Sequence, residues 1–188
     1  MFDYYVIMML VLTFLAFIIA LYTDIHTQKI PNSLCLSLLM LGVCLQAYFH
    51  GWHGILLGMG GFLVALATLF PAFMFRLLGA GDVKLMLALG VFAGPGLILW
   101  AIGYGIAFGL ITSILIGLFK QGWSGLKATL KRYYYCFYTR EYLVPQNNEL
   151  AGTQVPYAPA LALGWFWALS KNHDVMWVIS SVRYSLGF

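Results

Sequence analysis

An all-α fold, a polytopic bundle of about six transmembrane helices, is what this sequence predicts, and three observations predict it. Apolar residues make up 62% of the chain and charged ones 9%, with a mean hydropathy of +0.88, well outside the balance of soluble domains. The apolar residues fall in runs close to the length a bilayer demands, about 20 residues for about 30 Å of hydrocarbon. The charges and the Gly and Pro clusters gather between those runs. Residues 1–188 therefore read as a single transmembrane domain whose first partner is the lipid bilayer. Cys35, Cys44 and Cys136 have neither CxxC spacing nor histidines at ligand intervals, so no metal site or disulfide framework is predicted. No phosphate-binding glycine loop, dinucleotide pattern or nucleic-acid module is present, so no cofactor and no nucleic-acid partner is expected.

Phe2 to Tyr22 supplies the first span. It lacks a basic n-region and a small-x-small cleavage site, which predicts a retained span and not a signal peptide. Thr23 to Asn32 is a polar turn, closed by Ile30-Pro31 because the residue before proline is pushed toward extended conformations. Ser33 to about Phe49 is the second span, His50 to Gly54 an uncharged turn, and about Ile55 to Phe75 the third. Arg76 and the turn Gly79-Ala80-Gly81-Asp82-Val83-Lys84 follow. The apolar run from Val83 to Ala93 then ends at Gly94-Pro95-Gly96, for which a turn and a kink both stay open on the sequence. At about 1.5 Å per residue this fourth helix crosses only half a bilayer, so Asp82 at its start should be sunk into the membrane slab, facing protein and not lipid.

Leu97 to Phe119 is the fifth span. The polar segment at about 120–154 opens with Trp123, Leu126, Leu130, Tyr134 and Phe137 near one helical face and Lys127, Lys131 and Arg132 among them, which predicts a basic amphipathic helix on the membrane surface. The last span is about Val155 to Leu169. Beyond Lys171, the spacing of Val175, Val178, Ile179 and Val182 predicts a short interfacial helix.

With six spans, the turns at 23–32, 76–84 and 120–154 share one side of the membrane. They hold Lys29, Arg76, Lys84, Lys120, Lys127, Lys131, Arg132 and Arg140, eight of the ten basic residues, leaving Lys171 and Arg183 opposite. The positive-inside rule places that side in the cytoplasm, with both termini extracytoplasmic.

The chain has six acids. Asp3 and Asp174 belong to the far face, and Glu141 and Glu149 to the polar segment. Asp24 and Asp82 alone sit at cytoplasmic ends of spans, so they can meet. Two carboxyls at hydrogen-bonding distance in a poorly solvated place do not readily both ionise, and one keeps a proton while the other does not. That is the acid/base pair an aspartic peptidase needs. The competing reading is that each aspartate caps a helix or marks a membrane boundary. For Asp82 a cap is consistent with its place at a helix N-terminus. For Asp24 the same reading fails, since it ends a helix and so lies at the wrong end of the dipole.

Gly79-Ala80-Gly81-Asp82-Val83-Lys84-Leu85, followed by Ala88-Leu89-Gly90, resembles the GxGD signature of the type IV prepilin peptidases. Asp24 with Lys29-Ile30-Pro31-Asn32 is similar to that family's first aspartate and its downstream Ile-Pro-Asn, and Pro156 to Gly164 resembles its last-span motif. The resemblance implies that Asp24 and Asp82 are the catalytic pair. It implies substrates that are prepilins or pilin-like proteins, cut on the cytoplasmic side between a short basic leader and a hydrophobic helix. It also implies an address in the cytoplasmic (inner) membrane, with the pilus assembly machinery as a candidate partner. Gly79, Gly81, Lys84, Lys29, Pro31 and Asn32 match motif positions and are assigned to site support. Larger members carry paired CxxC zinc ligands and a methyltransferase function. Neither is present here, so the expected form is minimal and peptidase-only, as in tight-adherence pilus systems. Two other classes stay open on the residues alone: a small proton-coupled transporter using both acids as an ion path, and a non-catalytic assembly subunit.

Overall fold

The computed structural model describes residues 2–27, 30–74, 78–139 and 157–185. Every element among them is helical: α1 (Phe2–Thr27), α2 (Asn32–Met74), α3 (Ala80–Thr139), α4 (Ala158–Lys171) and α5 (His173–Ser185). Three of these are long and apolar enough to cross a membrane, over Tyr4–Asp24, Asn32–Met74 and Ala80–Ile116. The expected helical membrane fold is thus observed in its class. Lys29, Arg76, Arg140 and residues 140–156 lie outside the described residues, as do the side chains of Lys120, Leu126 and Phe137.

The boundaries differ from the expected ones for identifiable backbone reasons. The turn anticipated at 50–54 is a break at one residue. Gly51 takes φ 60° and ψ −144°, and helix runs on both sides of it. As one straight rod α2 would be about 65 Å long, twice the hydrocarbon thickness. The break instead folds it back. A Cβ on Gly54 would strike the Gln46 carbonyl oxygen, yet residues eight apart in a continuous helix stand about 12 Å apart. Glycine is required at Gly51 by its positive φ and at Gly54 by this approach.

Gly94-Pro95-Gly96 is likewise narrower than a turn. Only Gly94 leaves the right-handed region, with φ 70°, and Pro95 continues the helix beyond it. Gly122, at φ 65°, interrupts α3 a second time. The last span begins at Ala158, later than the expected Val155. At 14 residues α4 is about 21 Å long, short of a full crossing. Its C-terminus stops at Asn172, whose side-chain oxygen accepts the amides of Asp174 and Val175 and so caps α5, the predicted tail helix.

Two compact units make up the chain. The first comprises Met1–Ile106 and Pro156–Phe188. Here α1 packs against α2, α4 and α5 along a stripe of Met9, Thr13, Phe17, Ala20 and Asp24. That 3-4 spacing is one helical face, while Val11, Phe14, Leu15, Ile18 and Ile19 stay exposed as an apolar, lipid-type face. The first arm of α3 is the most enclosed: Leu85, Met86, Ala88 and Leu89 are fully buried. Its break at Gly94 strands carbonyls that no helical amide can reach, and Pro95 has no N–H to give. Side chains meet that need. The Tyr5 hydroxyl donates to the Phe92 carbonyl at 2.6 Å, and the Gln46 amide to Val91 at 3.0 Å. In an apolar interior such acceptors are costly to leave open.

The second unit is Ala107–Val155. Its described part is the continuation of α3, which runs through the segment expected to be a separate surface helix. Trp123, Leu130 and Tyr134 of the predicted apolar face are exposed, whereas Arg132 and Thr129 are buried.

Candidate active site

The site is built within the first unit, where three backbone segments converge. Gly79 is the residue before the first turn of α3, and its carbonyl accepts the Val83 amide at 3.2 Å. Asp82 is therefore the third helical residue. Its carboxyl reaches back to the backbone amide of Gly79, the acid half of a capping box. Gly79 must lack a side chain for this, because a Cβ there would stand 3.0 Å from Oδ2 of Asp82. Asp82 is only 8% exposed, and its other oxygen, Oδ1, is buried with no hydrogen-bond partner among the described residues.

Asp24 occupies the last turn of α1 and is 7% exposed. It lies on the protein-facing stripe, which is why a helix apolar all round turns its single late acid inward. Its Oδ2 accepts the backbone amide of Ala158 at 3.3 Å. Ala158 opens α4, and Tyr157 before it offers no side-chain cap. Asp24 therefore caps α4 across the fold. This corrects the expectation that capping fails for Asp24: the dipole at the end of α1 is unfavourable, but the carboxyl sits against the N-terminus of a different helix.

The two carboxyls act on each other electrostatically, and Tyr157 lies within the field of Asp82. The segment before α2 closes one flank. Gly81 packs on Ile30 so tightly that a Cβ would come within 3.0 Å of the Ile30 side chain and 3.2 Å of its amide nitrogen. Lys84 donates to Asn32 Oδ1 at 2.9 Å, tying the start of α3 to the start of α2. Gly79 thus lies against Asp82, Gly81 against Ile30 and Lys84 against Asn32, with Pro31 between Ile30 and Asn32 in the chain. Lys29 lies outside the described residues. On the other flank, α4 is held against α3 by a glycine pair. A Cβ on Gly164 would collide with the backbone of Gly105 and come within 2.8 Å of the Ala101 carbonyl.

Ile30, Tyr157 and the Ala158 amide are site neighbours that reading the sequence left without a role. Their signal was their position inside motif segments, since nothing in their own chemistry marks them. Among the described residues no three His, Cys, Asp or Glu side chains come together as a metal cage. What converges is a pair of buried carboxyls on the N-termini of two helices, an arrangement able to hold and pass a proton in a water-poor place.

Fold and site together define a helical membrane protein with two enclosed, mutually interacting aspartates. The model of the type IV leader peptidase family matches residues 10–119 of the 188, more than half of the chain, and the chain belongs to that family. Membership carries peptidase, and so hydrolase, chemistry in a membrane setting. The match includes both aspartates and residues 30–32 but not α4. No curated protein and no solved structure matches the chain.

Proposed function

We propose that the protein is an intramembrane aspartic endopeptidase, with Asp24 and Asp82 as its catalytic pair. Its task in this reading is to remove the short basic leader of type IV prepilins or pilin-like proteins at the cytoplasmic face of the inner membrane. One observation carries the proposal: Asp24, in the last turn of α1, and Asp82, in the first turn of α3, are both buried, and they interact within one unit. Burial of an acid among apolar helices is costly, and function is the usual reason for it.

The chemistry follows from the pair sharing one proton. The ionised carboxyl takes a proton from water as the water oxygen attacks the scissile carbonyl, and the protonated carboxyl donates to the carbonyl oxygen. As the tetrahedral centre collapses the C–N bond breaks, and a proton passes to the leaving amine. The protons belong to the coupled pair, so neither aspartate is assigned one role in the resting state. The backbone amides of Gly79 and Ala158 each hold one carboxyl in place, which supplies preorganisation without spending a side chain.

Six crossings, a cytoplasmic active site and a single transmembrane domain with its basic segment at about 120–154 complete the reading. They are supported by the breaks at Gly51 and Gly94 and by the side-by-side distribution of Lys and Arg. The test is to incubate the purified protein with a prepilin and determine the product mass. A cut immediately ahead of the hydrophobic helix is expected, absent in Asp24→Asn and Asp82→Asn although both insert into membranes. Flux of protons in proteoliposomes that requires both acids, with no cleavage, would overturn the proposal.

A further inference from the structure

Lys84 and Leu87 stand at i and i+3 on the one face of the first arm of α3 that the core leaves uncovered, while Leu85, Met86, Ala88 and Leu89 around them are fully buried. With α2, that face encloses a groove of about 290 Å³. Asn32, Cys35, Leu36 and Leu39 line it from the first arm of α2 and Phe62 from the second. The rim is polar and lies where α2 and α3 begin, with Lys84 donating to Asn32 Oδ1 at 2.9 Å. From there the groove follows the i, i+3, i+4, i+7 face of α2 for about 10 Å. Beside Phe62 and one turn beyond Leu87 it ends, because the backbones of Gly61 and Gly90 meet: a Cβ on Gly61 would collide with the Gly90 carbonyl. The mouth faces outward. Leu36 is 62% exposed, and Met40 and Val43 continue its exposed stripe down a helix long and apolar enough to cross a membrane.

We infer that this groove binds one anionic phospholipid, whose phosphate sits at Lys84 and Asn32 and one of whose acyl chains lies in the channel below. Width excludes a helix as the occupant. Spread over about 10 Å of depth, the volume is a channel about 6 Å across, whereas a helix with its side chains measures about 10–12 Å. Polarity excludes an extended peptide. Below the rim the Cys35 thiol is the only polar side chain of the lining, so a peptide backbone would bury its amides and carbonyls without partners, and an acyl chain has none to satisfy. Charge selects the headgroup. Among the described residues no acid lines the groove, since Asp82 on the same turn is buried against protein. Lys84 has two N–H donors beyond the one given to Asn32, and basic pockets between membrane helices suit anionic headgroups. The site lies apart from the carboxyl pair and does not rest on the peptidase reading.

The experiment titrates the full-length protein in detergent with dioleoyl phosphatidylglycerol or dioleoyl phosphatidylcholine and counts bound lipid by native mass spectrometry. The wild type should bind one phosphatidylglycerol about fivefold more tightly than phosphatidylcholine, the factor that one lysine near an anionic headgroup confers. Lys84→Gln should bring that ratio close to one. Leu39→Trp fills the channel and should weaken both lipids at least about fivefold with their ratio kept. Leu36→Trp, at the exposed mouth where folding is not at stake, should act in the same direction and serves in place of a Leu39→Trp that fails to fold. Leu63→Trp, 54% exposed on the same helix but outside the lining, should change neither. This pattern supports the site. Equal affinity of the wild type for the two lipids, a ratio insensitive to Lys84→Gln, or affinities untouched by the Trp variants in the lining would each overturn it. Displacement of the lipid by sn-glycerol 3-phosphate at equal concentration would reduce the groove to a bare anion site, and displacement one for one by an apolar peptide with a basic leader would give it to a peptide; either result also overturns the assignment.

Discussion

Asp24 is asked to be both a helix cap and a reagent, and two substitutions separate the roles. Its Oδ2 receives the Ala158 amide at 3.3 Å, that residue is fully buried, and Tyr157 supplies no alternative cap. Asp24→Asn keeps an oxygen for the amide and loses only the charge facing the helix N-terminus, about 0.3–1 kcal/mol. Asp24→Ala leaves a buried amide unsatisfied, a loss of about 1–3 kcal/mol. The Ala variant should thus unfold at clearly lower temperature than the Asn variant in the same detergent. Neither can exchange a proton as a carboxyl does, so both should cleave a prepilin at least about 100-fold more slowly, the lower end of what a positioned acid or base contributes. Cleavage follows from product mass over time, and stability from thermal unfolding of the same samples. An Asn variant cleaving within about tenfold of wild type would refute the reagent role. An Ala variant as stable as the Asn variant would refute the cap.

Four further substitutions test the packing. Gly81→Val should displace the 30–32 segment, because even a Cβ reaches 3.0 Å from Ile30; cleavage should fall at least about tenfold, while Gly81→Ala has a milder effect. Gln46→Leu leaves the Val91 carbonyl without its 3.0 Å donor and should cost about 1–3 kcal/mol by thermal or denaturant unfolding. Tyr5→Phe, which strips the 2.6 Å donor from Phe92, should cost a similar amount. The double variant should depart from additivity, because Gln46 also approaches that carbonyl at 3.4 Å. Gly164→Leu should part α4 from α3 where the two backbones touch at Gly105, lowering both stability and cleavage. Stability unchanged in Gly164→Leu would count against that contact.

Much of the site was legible because the chain is so poor in charge. An acid at position 82 after Gly-Ala-Gly stands out in an apolar sequence, and Asp82 is buried against protein, as expected. The interruptions at Gly51 and Gly94 were signalled by glycines, the first as a turn and the second as a turn or a kink; each is a single left-handed residue within a longer helix. The packed face of α1 carried only a weak signal, the small and polar series Thr13, Ala16, Ala20 and Asp24. In water the buried stripe of a helix differs in polarity from its exposed face, but a bilayer is as apolar as a core, so both faces of α1 read alike.

The sequence by itself determined the class of fold, the membrane setting, the family and the two aspartates worth pairing, because composition, run length and local motifs are properties of the chain alone. Only the tertiary structure decided that Asp24 caps α4, that Lys84 reaches Asn32, and that Tyr5 and Gln46 serve the carbonyls stranded at Gly94. Each of these hydrogen bonds joins residues at least 45 positions apart, a pairing that no periodicity encodes.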